Sequence, residues 1–191
     1  MIQVREATPA DADAIAAAHI EGWRAGYRHL LPDDYLDAPE FARQRIDRWR
    51  AWTWKEGLAG SQVYAAVLHG HVVGFGHCGA ERMVPLCDQS GSEEGGGLQQ
   101  DRGEVYGFYL HPTAWGSGAA AALMDRCHRH LHVAGFRQAT LWVLRDNPRA
   151  RGFYERAGWR VTGREMVFQV RGSATTPAIE LPEVEYLIDL I

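Results

Sequence analysis

The amino-acid sequence predicts an α/β protein in which a single mixed sheet carries helices on both faces. Strand-like and helix-like segments are interspersed along the chain, and an early hairpin introduces antiparallel pairing. No linker or internal repeat divides the 191 residues. A chain of this length can bury one substantial core and is too short for two comfortable domains. We therefore expect one domain over residues 1–191.

The first half of the chain predicts two helices and three strands. Alternating residues indicate a strand at 2–6, and Thr8 with Asp11 forms a helix N-terminal box that opens a helix over 11–25. A second helix is expected over 41–55. The strands 63–68 and 71–76 are joined by His69 and Gly70, a turn typical of a hairpin.

Residues 85–103 interrupt this pattern and are followed by further strands and helices. The segment is rich in glycine and acidic residues and almost free of apolar ones, which predicts an inserted acidic, glycine-rich surface loop. The elements expected after it are strands at 104–110, 138–144, 159–170 and 184–190, and helices at 116–133 and 148–157.

The overall composition excludes several classes of protein. The net charge of −4 argues against a generic nucleic-acid binder, and no apolar run approaches the ~20 residues that cross a bilayer. The start of the chain lacks the apolar centre of a signal peptide, and the three cysteines have no metal-type spacing. His128, His130 and His132 do not share a helix face, so we expect no metal site. A reducing, cytoplasmic location is expected.

A strand–turn–helix segment is the first candidate site. The strand 104–110 leads into a turn with Gly116 and Gly118, where small residues let a backbone approach a ligand and free amides can hold phosphate oxygens. A turn that merely packs would give the same pattern. A P-loop would need Lys and Ser or Thr after Gly118, where Ala119 and Ala120 stand. The three spaced glycines of a dinucleotide fingerprint are also missing.

The helix at 148–157 is the second candidate element. Asn147 is expected to cap it, Pro148 suits its first turn and Gly158 ends it. One face of the helix carries Ala150, Phe153, Tyr154 and Ala157.

Together these segments resemble the GCN5-related N-acetyltransferase (GNAT) superfamily. The resemblance extends from the first strand to Trp159 and is strongest from Glu104 onward. The family pattern around the glycine turn is matched at Pro112, Gly118 and Ala120. The later family pattern is matched by Asn147, Ala150, Phe153, Tyr154, Gly158 and Trp159. The sequence departs from the family at Trp115, where Arg or Gln is usual. Loss of that side chain is expected to weaken binding of the pyrophosphate of the family's cofactor, coenzyme A.

The resemblance implies a splayed central sheet and an enzyme that transfers acetyl from acetyl-CoA to an amine of a small molecule or protein. The implied mechanism is direct attack in a ternary complex, without a metal. The partners implied are acetyl-CoA and an amine acceptor, with no nucleic acid or membrane, and a homodimer is left open. The alternative is a CoA-binding module of the same fold that has lost its chemistry.

The resemblance also implies the site residues. The backbone of Phe108, Tyr109 and Leu110 would pair with the pantetheine arm, and the Leu110 amide would stabilise the oxyanion. The pyrophosphate would be held by the amides of Trp115, Gly116, Ser117, Gly118, Ala119 and Ala120. Asn147 would bind the pantetheine arm or cap its own helix, and Tyr154 would return a proton to the thiolate.

The candidate general base is Glu104, with His77 and His111 as alternatives. The acceptor pocket in this family usually forms between the first two helices and the middle strands. Its wall candidates are Trp23, Tyr27, Trp49 and Trp52, and Glu21 and Glu81 are candidate partners for a cation.

Overall fold

Seven strands form one mixed sheet with helices on both faces, as the sequence predicts. The structure is a computed structural model and describes residues 1–52, 60–82, 99–170 and 178–191. The strands are β1 (Ile2–Glu6), β2 (Gln62–Leu68), β3 (His71–Glu81), β4 (Gln99–Leu110), β5 (Gln138–Leu144), β6 (Arg160–Val170) and β7 (Ile179–Asp189). The helices are α1 (Ala12–Tyr27), α2 (Asp33–Leu36), α3 (Pro39–Arg50), α4 (Ala119–Val133) and α5 (Pro148–Arg156). Short 3-10 helices cover Pro9–Asp11 and Pro112–Ala114.

The strand order is β1-β2-β3-β4-β5-β7-β6, and β4 and β5 are the parallel pair among antiparallel neighbours. Their pairing joins 102–105 to 138–141 and then stops, although β4 continues to Leu110 and β5 to Leu144. The two strands therefore diverge, and the sheet is splayed at its centre. The hairpin between β2 and β3 turns through His69 at φ 53° and Gly70 at φ 84°, the left-handed geometry that suits a tight hairpin.

Two different helix pairs cover the two faces of the sheet. Helices α1 and α3 bury Trp23, Phe41 and Trp49 on one face. Helix α4 covers the other face with a stripe of fully buried residues: Leu123, Met124, Cys127 and Leu131. Helix α5 packs on this second face through the predicted set of Ala150, Phe153, Tyr154 and Ala157. Apolar packing thus covers both faces of the sheet. The opening between β4 and β5 connects the two faces.

The boundaries of several elements differ from the prediction. Residues 85–98 of the predicted loop lie outside the described residues, but 99–103 belong to β4, so the loop prediction is wrong there. Strand β3 runs on to Glu81, and β7 begins at Ile179 rather than at 184. Helix α4 begins at Ala119 instead of 116, because Gly118 at φ 90° is the residue that precedes its first turn. The short α2 was not predicted.

The described helices include none that is long and apolar enough to cross a membrane. The single-domain assignment and the homodimer stay predictions.

Candidate active site

A cleft of about 1180 Å³ opens where β4 and β5 separate. Its walls come from both faces of the sheet: α1 and α3 on one side, and α4 and α5 on the other. It includes the glycine turn, Asn147 and Tyr154 as well as the aromatic residues of α1 and α3. The sequence-predicted cofactor residues and acceptor walls are therefore brought together in a single cavity.

A bulge in β4 prepares the backbone of this cleft. Gly107 pairs with His77 and Val105 pairs with Cys78, so Tyr106 is an extra residue without a partner on β3. Val105 and Phe108 consequently pack with α4, whereas Glu104 faces the α1 and α3 side.

Beyond the bulge, the amides of β4 point alternately toward β3 and away from it. His111 donates its amide to Val73 at 2.7 Å, and Gly74 pairs with Leu110 in the next position. Because the antiparallel ladder alternates, the Leu110 and Phe108 amides point to the other edge of β4, into the opening left by β5. This edge of β4 can accept an extended ligand as an additional strand.

The turn between β4 and α4 presents a second set of amides. The amides of Trp115, Ser117 and Ala119 are satisfied locally, by Pro112 O at 3.1 Å, Ala114 O at 3.3 Å and Ser117 Oγ at 3.2 Å. Within the described residues, the amides of Gly116, Gly118 and Ala120 have no acceptor. Gly116 at φ 77° and Gly118 at φ 90° adopt left-handed backbone conformations that favour glycine. The turn can therefore hold an anion through three of the six predicted amides.

Trp115 supports this turn from the side. Its indole Nε1 donates to Leu110 O at 3.3 Å, and the guanidinium carbon of Arg149 lies 3.7 Å from the centre of its ring. The side chain thus ties the turn to the end of β4 and to the first turn of α5.

Asn147 caps α5 as the sequence predicts. Its Oδ1 accepts from the Ala150 amide at 3.1 Å, and the residue is buried. The Nδ2 group has no acceptor within the described part of the chain, and Asn147 lines the cleft. Cap and ligand donor are therefore compatible roles for one side chain.

Tyr154 reaches the same cleft from α5. The residue is 7% exposed, and its ring packs among Phe108, Phe153 and Trp159. Burial, with a smaller contribution from Tyr109, raises the pKa of Tyr154 above its usual value of 10. The hydroxyl consequently retains its proton throughout the physiological pH range.

Glu104 is held in an ion pair. Its carboxylate is 1% exposed and accepts from the Arg82 guanidinium at 2.5 Å and from the Arg82 amide at 2.9 Å. The Arg82 Nε lies 3.2 Å from both carboxylate oxygens. Glu104 lines the cleft, and its carboxylate oxygens are engaged by Arg82.

Glu183 is a second acidic residue of the cleft, and sequence reasoning missed it. It lies on β7 beside Leu144, on the same face as Leu181 in the α1 and α3 core. Burial, with repulsion from Glu104, raises the pKa of Glu183 from 4.5 to about 7, against the opposing effect of Arg82. Within the described residues its carboxylate has no hydrogen-bond partner. The alternation of β7 was a signal in the sequence, but Pro182 obscured the start of that strand.

The two histidine alternatives for the base have different environments. His77 lies in the cleft against Trp52 and Tyr106, and burial, assisted by Arg82 and Arg48, lowers its pKa to about 3. Such an imidazole is a weak proton acceptor at neutral pH. His111 caps the 3-10 helix by accepting from the Thr113 amide at 3.3 Å and does not line the cleft.

The predicted acceptor walls line the cleft and also belong to the core: Trp23, Tyr27, Trp49 and Trp52. The two predicted acidic partners do not line it. Glu21 is paired with Arg24 at 2.9 Å, and Glu81 is buried and accepts from the Thr140 hydroxyl at 3.0 Å. Acidic character on this side of the cleft comes from Glu183 and Glu104 instead.

This geometry matches a known class of enzyme. The acetyltransferase (GNAT) family matches residues 23–159, and the chain belongs to that family. It is therefore an enzyme of the acyltransferase class.

Individual relatives agree with this assignment. The chain is similar to an uncharacterised N-acetyltransferase of Bacillus subtilis, YuaI, with 29% identity over 78% of this chain and 75% of the relative. A probable N-acetyltransferase of Mycobacterium tuberculosis is 23% identical over 93% of this chain and 91% of its own length.

Solved structures share the fold. The PaiA N-acetyltransferase from Thermoplasma acidophilum, in complex with coenzyme A, has a TM-score of 0.70 at 13% identity and covers 99% of both chains. YncA from Salmonella typhimurium, with its cofactor acetyl-CoA, has a TM-score of 0.63 at 18% identity and covers 100% of this chain and 95% of that one.

Proposed function

We propose that this protein transfers the acetyl group of acetyl-CoA to an amine, by direct attack of the amine on the thioester. The main support is the opening between β4 and β5. It exposes the outward amides of β4 and lies in one cleft with the unsatisfied amides of the glycine turn and with Tyr154. An extended thioester arm with a phosphate group fits these two sets of donors.

In this proposal the backbone orients the donor substrate. The edge of β4 at Phe108–Leu110 pairs with the pantetheine arm, and Asn147 Nδ2 donates to one of its carbonyls. The Leu110 amide donates to the thioester oxygen and stabilises the negative charge that develops there as the amine attacks. The amides of Gly116, Gly118 and Ala120 hold the pyrophosphate.

Tyr154 is the proton donor to the leaving group. The carbon–sulfur bond breaks, and the sulfur takes the phenol proton as it leaves. A phenol with a pKa above 10 and a free thiol near 8.5 differ by at least ~1.5 units, so complete transfer to a free thiolate costs at least ~2 kcal/mol. This cost is small beside the barrier of acyl transfer, and transfer concerted with bond cleavage reduces it.

The acceptor amine must lose a proton before or during its attack. We propose that Glu183 receives it, because its carboxylate lies in the cleft, forms no salt bridge within the described residues, and has a pKa of about 7 that leaves it partly ionised at neutral pH. Glu104, the base predicted from the sequence, remains the alternative, and opening of its pair with Arg82 would be the required step.

Direct attack is favoured over a covalent cysteine intermediate. Cys78 and Cys127 are free and completely buried. The hydrogen bond that the Cys127 thiol donates to Cys78, together with burial, raises the pKa of Cys127 well above its usual value, so it is not a nucleophile. Cys87 lies outside the described residues.

Release of free thiol from acetyl-CoA in the presence of an amine library tests the proposal. Thiol release that depends on one class of amine, with initial-rate lines that intersect when both substrates are varied, is the expected result. Parallel lines would indicate a covalent acyl-enzyme. If the folded protein binds CoA but no amine stimulates thiol release, the chain is a CoA-binding module instead of an active transferase.

A further inference from the structure

We infer that Arg149 supplies the cation for the CoA pyrophosphate, with Trp115 as the platform that holds it over the glycine turn. This inference rests on the proposed function, because it deepens the site that binds the donor. It concerns the position at which the sequence departs from the family, where Trp115 replaces Arg or Gln.

The Trp115 side chain cannot replace the usual Arg or Gln in binding the pyrophosphate. Its one polar atom, Nε1, already donates to Leu110 O at 3.3 Å. An indole has no positive charge and no second donor. Any charge compensation for the two phosphates must therefore come from a different side chain near the turn.

Arg149 is the cation that the geometry brings there. Its guanidinium carbon lies 3.7 Å from the centre of the Trp115 ring, well within the range of a cation–π contact. The cleft is lined by Arg149 together with Gly116 and Gly118, whose amides have no protein acceptor. The contact holds the guanidinium over the ring, and its N–H groups have no acceptor among the described residues, so they are available to bind phosphate in a bidentate manner.

The charge of Arg149 has no acidic partner among the residues that the structure describes. In the described part of the chain, no carboxylate forms an ion pair with it, unlike Arg145, which lies 3.6 Å from Glu165. Arg149 also stands in the first turn of α5, at the positive end of the helix dipole, and no acidic residue is present in that turn. A positive charge at the positive end of the helix dipole is unfavourable, and a bound anion offsets this repulsion.

The test measures CoA affinity by calorimetry for the wild type, Arg149→Ala, and the double variant Trp115→Arg with Arg149→Ala. We expect Arg149→Ala to weaken CoA binding by roughly ten- to a hundredfold, the loss of a charge-assisted contact. The salt dependence of binding should fall in the same variant. The double variant moves a cation to position 115, so it should recover most of the affinity.

The matched control is Arg126→Ala. The guanidinium carbon of Arg126 also lies over an aromatic ring, 4.4 Å from the centre of Tyr64, but Arg126 does not line the cleft. Its removal changes the net charge equally and should leave CoA affinity unchanged. An equal loss of CoA affinity in both variants would mean that net charge alone causes the effect, and it would overturn the assignment.

Dephospho-CoA, which lacks the 3′-phosphate but retains the pyrophosphate, provides the decisive comparison. The penalty of Arg149→Ala should persist with this ligand. If the penalty disappears, Arg149 contacts the 3′-phosphate, and the pyrophosphate assignment is wrong. A wild-type protein that binds no CoA would remove the proposed function, whereas CoA binding that is unaffected by Arg149→Ala would remove this inference alone.

Discussion

Tyr154 carries the sharpest prediction at the scale of a single residue. Tyr154→Phe keeps the ring among Phe108, Phe153 and Trp159 but removes the proton. Because general acid catalysis contributes ~10²–10⁴-fold, kcat should fall within that range. CoA affinity and the melting temperature should stay near those of the wild type, since the lost interaction belongs to the leaving step. Steady-state kinetics, calorimetry and a thermal melt measure the three quantities. Turnover at wild-type speed would leave Tyr154 a packing role only.

The two assignments of the general base, to Glu183 or to Glu104, predict opposite effects of the variants on the pH dependence of the rate. If Glu183 is the base, the wild-type rate should rise with pH and level off above about 7, where this carboxyl is ionised. Glu183→Gln should lower the rate and abolish that inflection. Glu104→Gln should retain the inflection at a lower pH, because the repulsion from Glu104 is lost, and should reduce the melting temperature, because it breaks the pair with Arg82.

The control for these variants is Glu180→Gln. Glu180 lies on the same strand, where its carboxylate accepts from Gln169 at 2.8 Å outside the cleft. Its pH profile should match the wild type. If the inflection near pH 7 disappears in Glu104→Gln and survives in Glu183→Gln, the base is Glu104.

The candidate site residues that could be predicted from the sequence belong to local motifs. Asn147 and Tyr154 stand at fixed spacing on one helix, and Gly116 and Gly118 stand in one turn, so the chain itself shows their relation. Glu183 is different, because it enters the cleft only when β7 pairs with β5, more than thirty residues away in the chain. The pairing of Arg82 with Glu104 also depends on a contact across β3 and β4. Such relations are set by tertiary structure and leave no local pattern.

The differences between the predicted and observed boundaries of strands β4 and β7 have physical causes. Residues 99–103 contain polar residues and Gly103, yet they form a strand because β3 pairs on one side and β5 pairs from Arg102 on the other. Gly103 allows α4 to pack closely there, since a Cβ at that position would lie 2.8 Å from the end of the Leu131 side chain, which would have to shift. In β7, Pro182 has no amide to donate, but its carbonyl accepts from the Arg145 amide at 2.8 Å, and the Arg145 carbonyl accepts from the Arg151 side chain at 3.0 Å instead.

The cap of α5 allows a prediction that separates two roles of one side chain. Asn147→Asp keeps an oxygen to accept from the Ala150 amide and removes the Nδ2 donor. We expect its stability to stay near wild type while its KM for acetyl-CoA rises. Asn147→Ala loses both groups and should also lose ~1 kcal/mol of stability, the usual cost of removing a helix cap. Chemical denaturation and steady-state kinetics on both variants measure the two effects. Equal KM values in the wild type and Asn147→Asp would restrict Asn147 to capping.

At the scale of the whole molecule, the splayed sheet explains how one cleft serves two substrates. Tyr154 belongs to the core on the α4 and α5 face, and Glu183 lies on the α1 and α3 face, yet both line the same cavity. In an unbroken sheet, strands β4 and β5 would separate these side chains. Because the parallel pairing ends at Val105, the proposed proton donor from one face and the proposed proton acceptor from the other can reach the same cavity.

The raised pKa of Glu183 also predicts how the stability of the whole protein changes with pH. In the unfolded chain this carboxyl titrates near 4.5, and in the folded protein near 7, so between these values the folded state binds more protons. The contribution of Glu183 to stability is therefore fully present below about pH 4.5 and is lost as the pH rises to about 7. Glu183→Gln has no carboxyl group to ionise at this position, so it avoids this loss of stability at higher pH. Its melting temperature should exceed that of the wild type at pH 8 by more than at pH 5, with Glu180→Gln as the control. A difference in melting temperature that is the same at both pH values would mean that Glu183 is ionised in the folded protein as readily as in water, and its role as the base near pH 7 would fall with it.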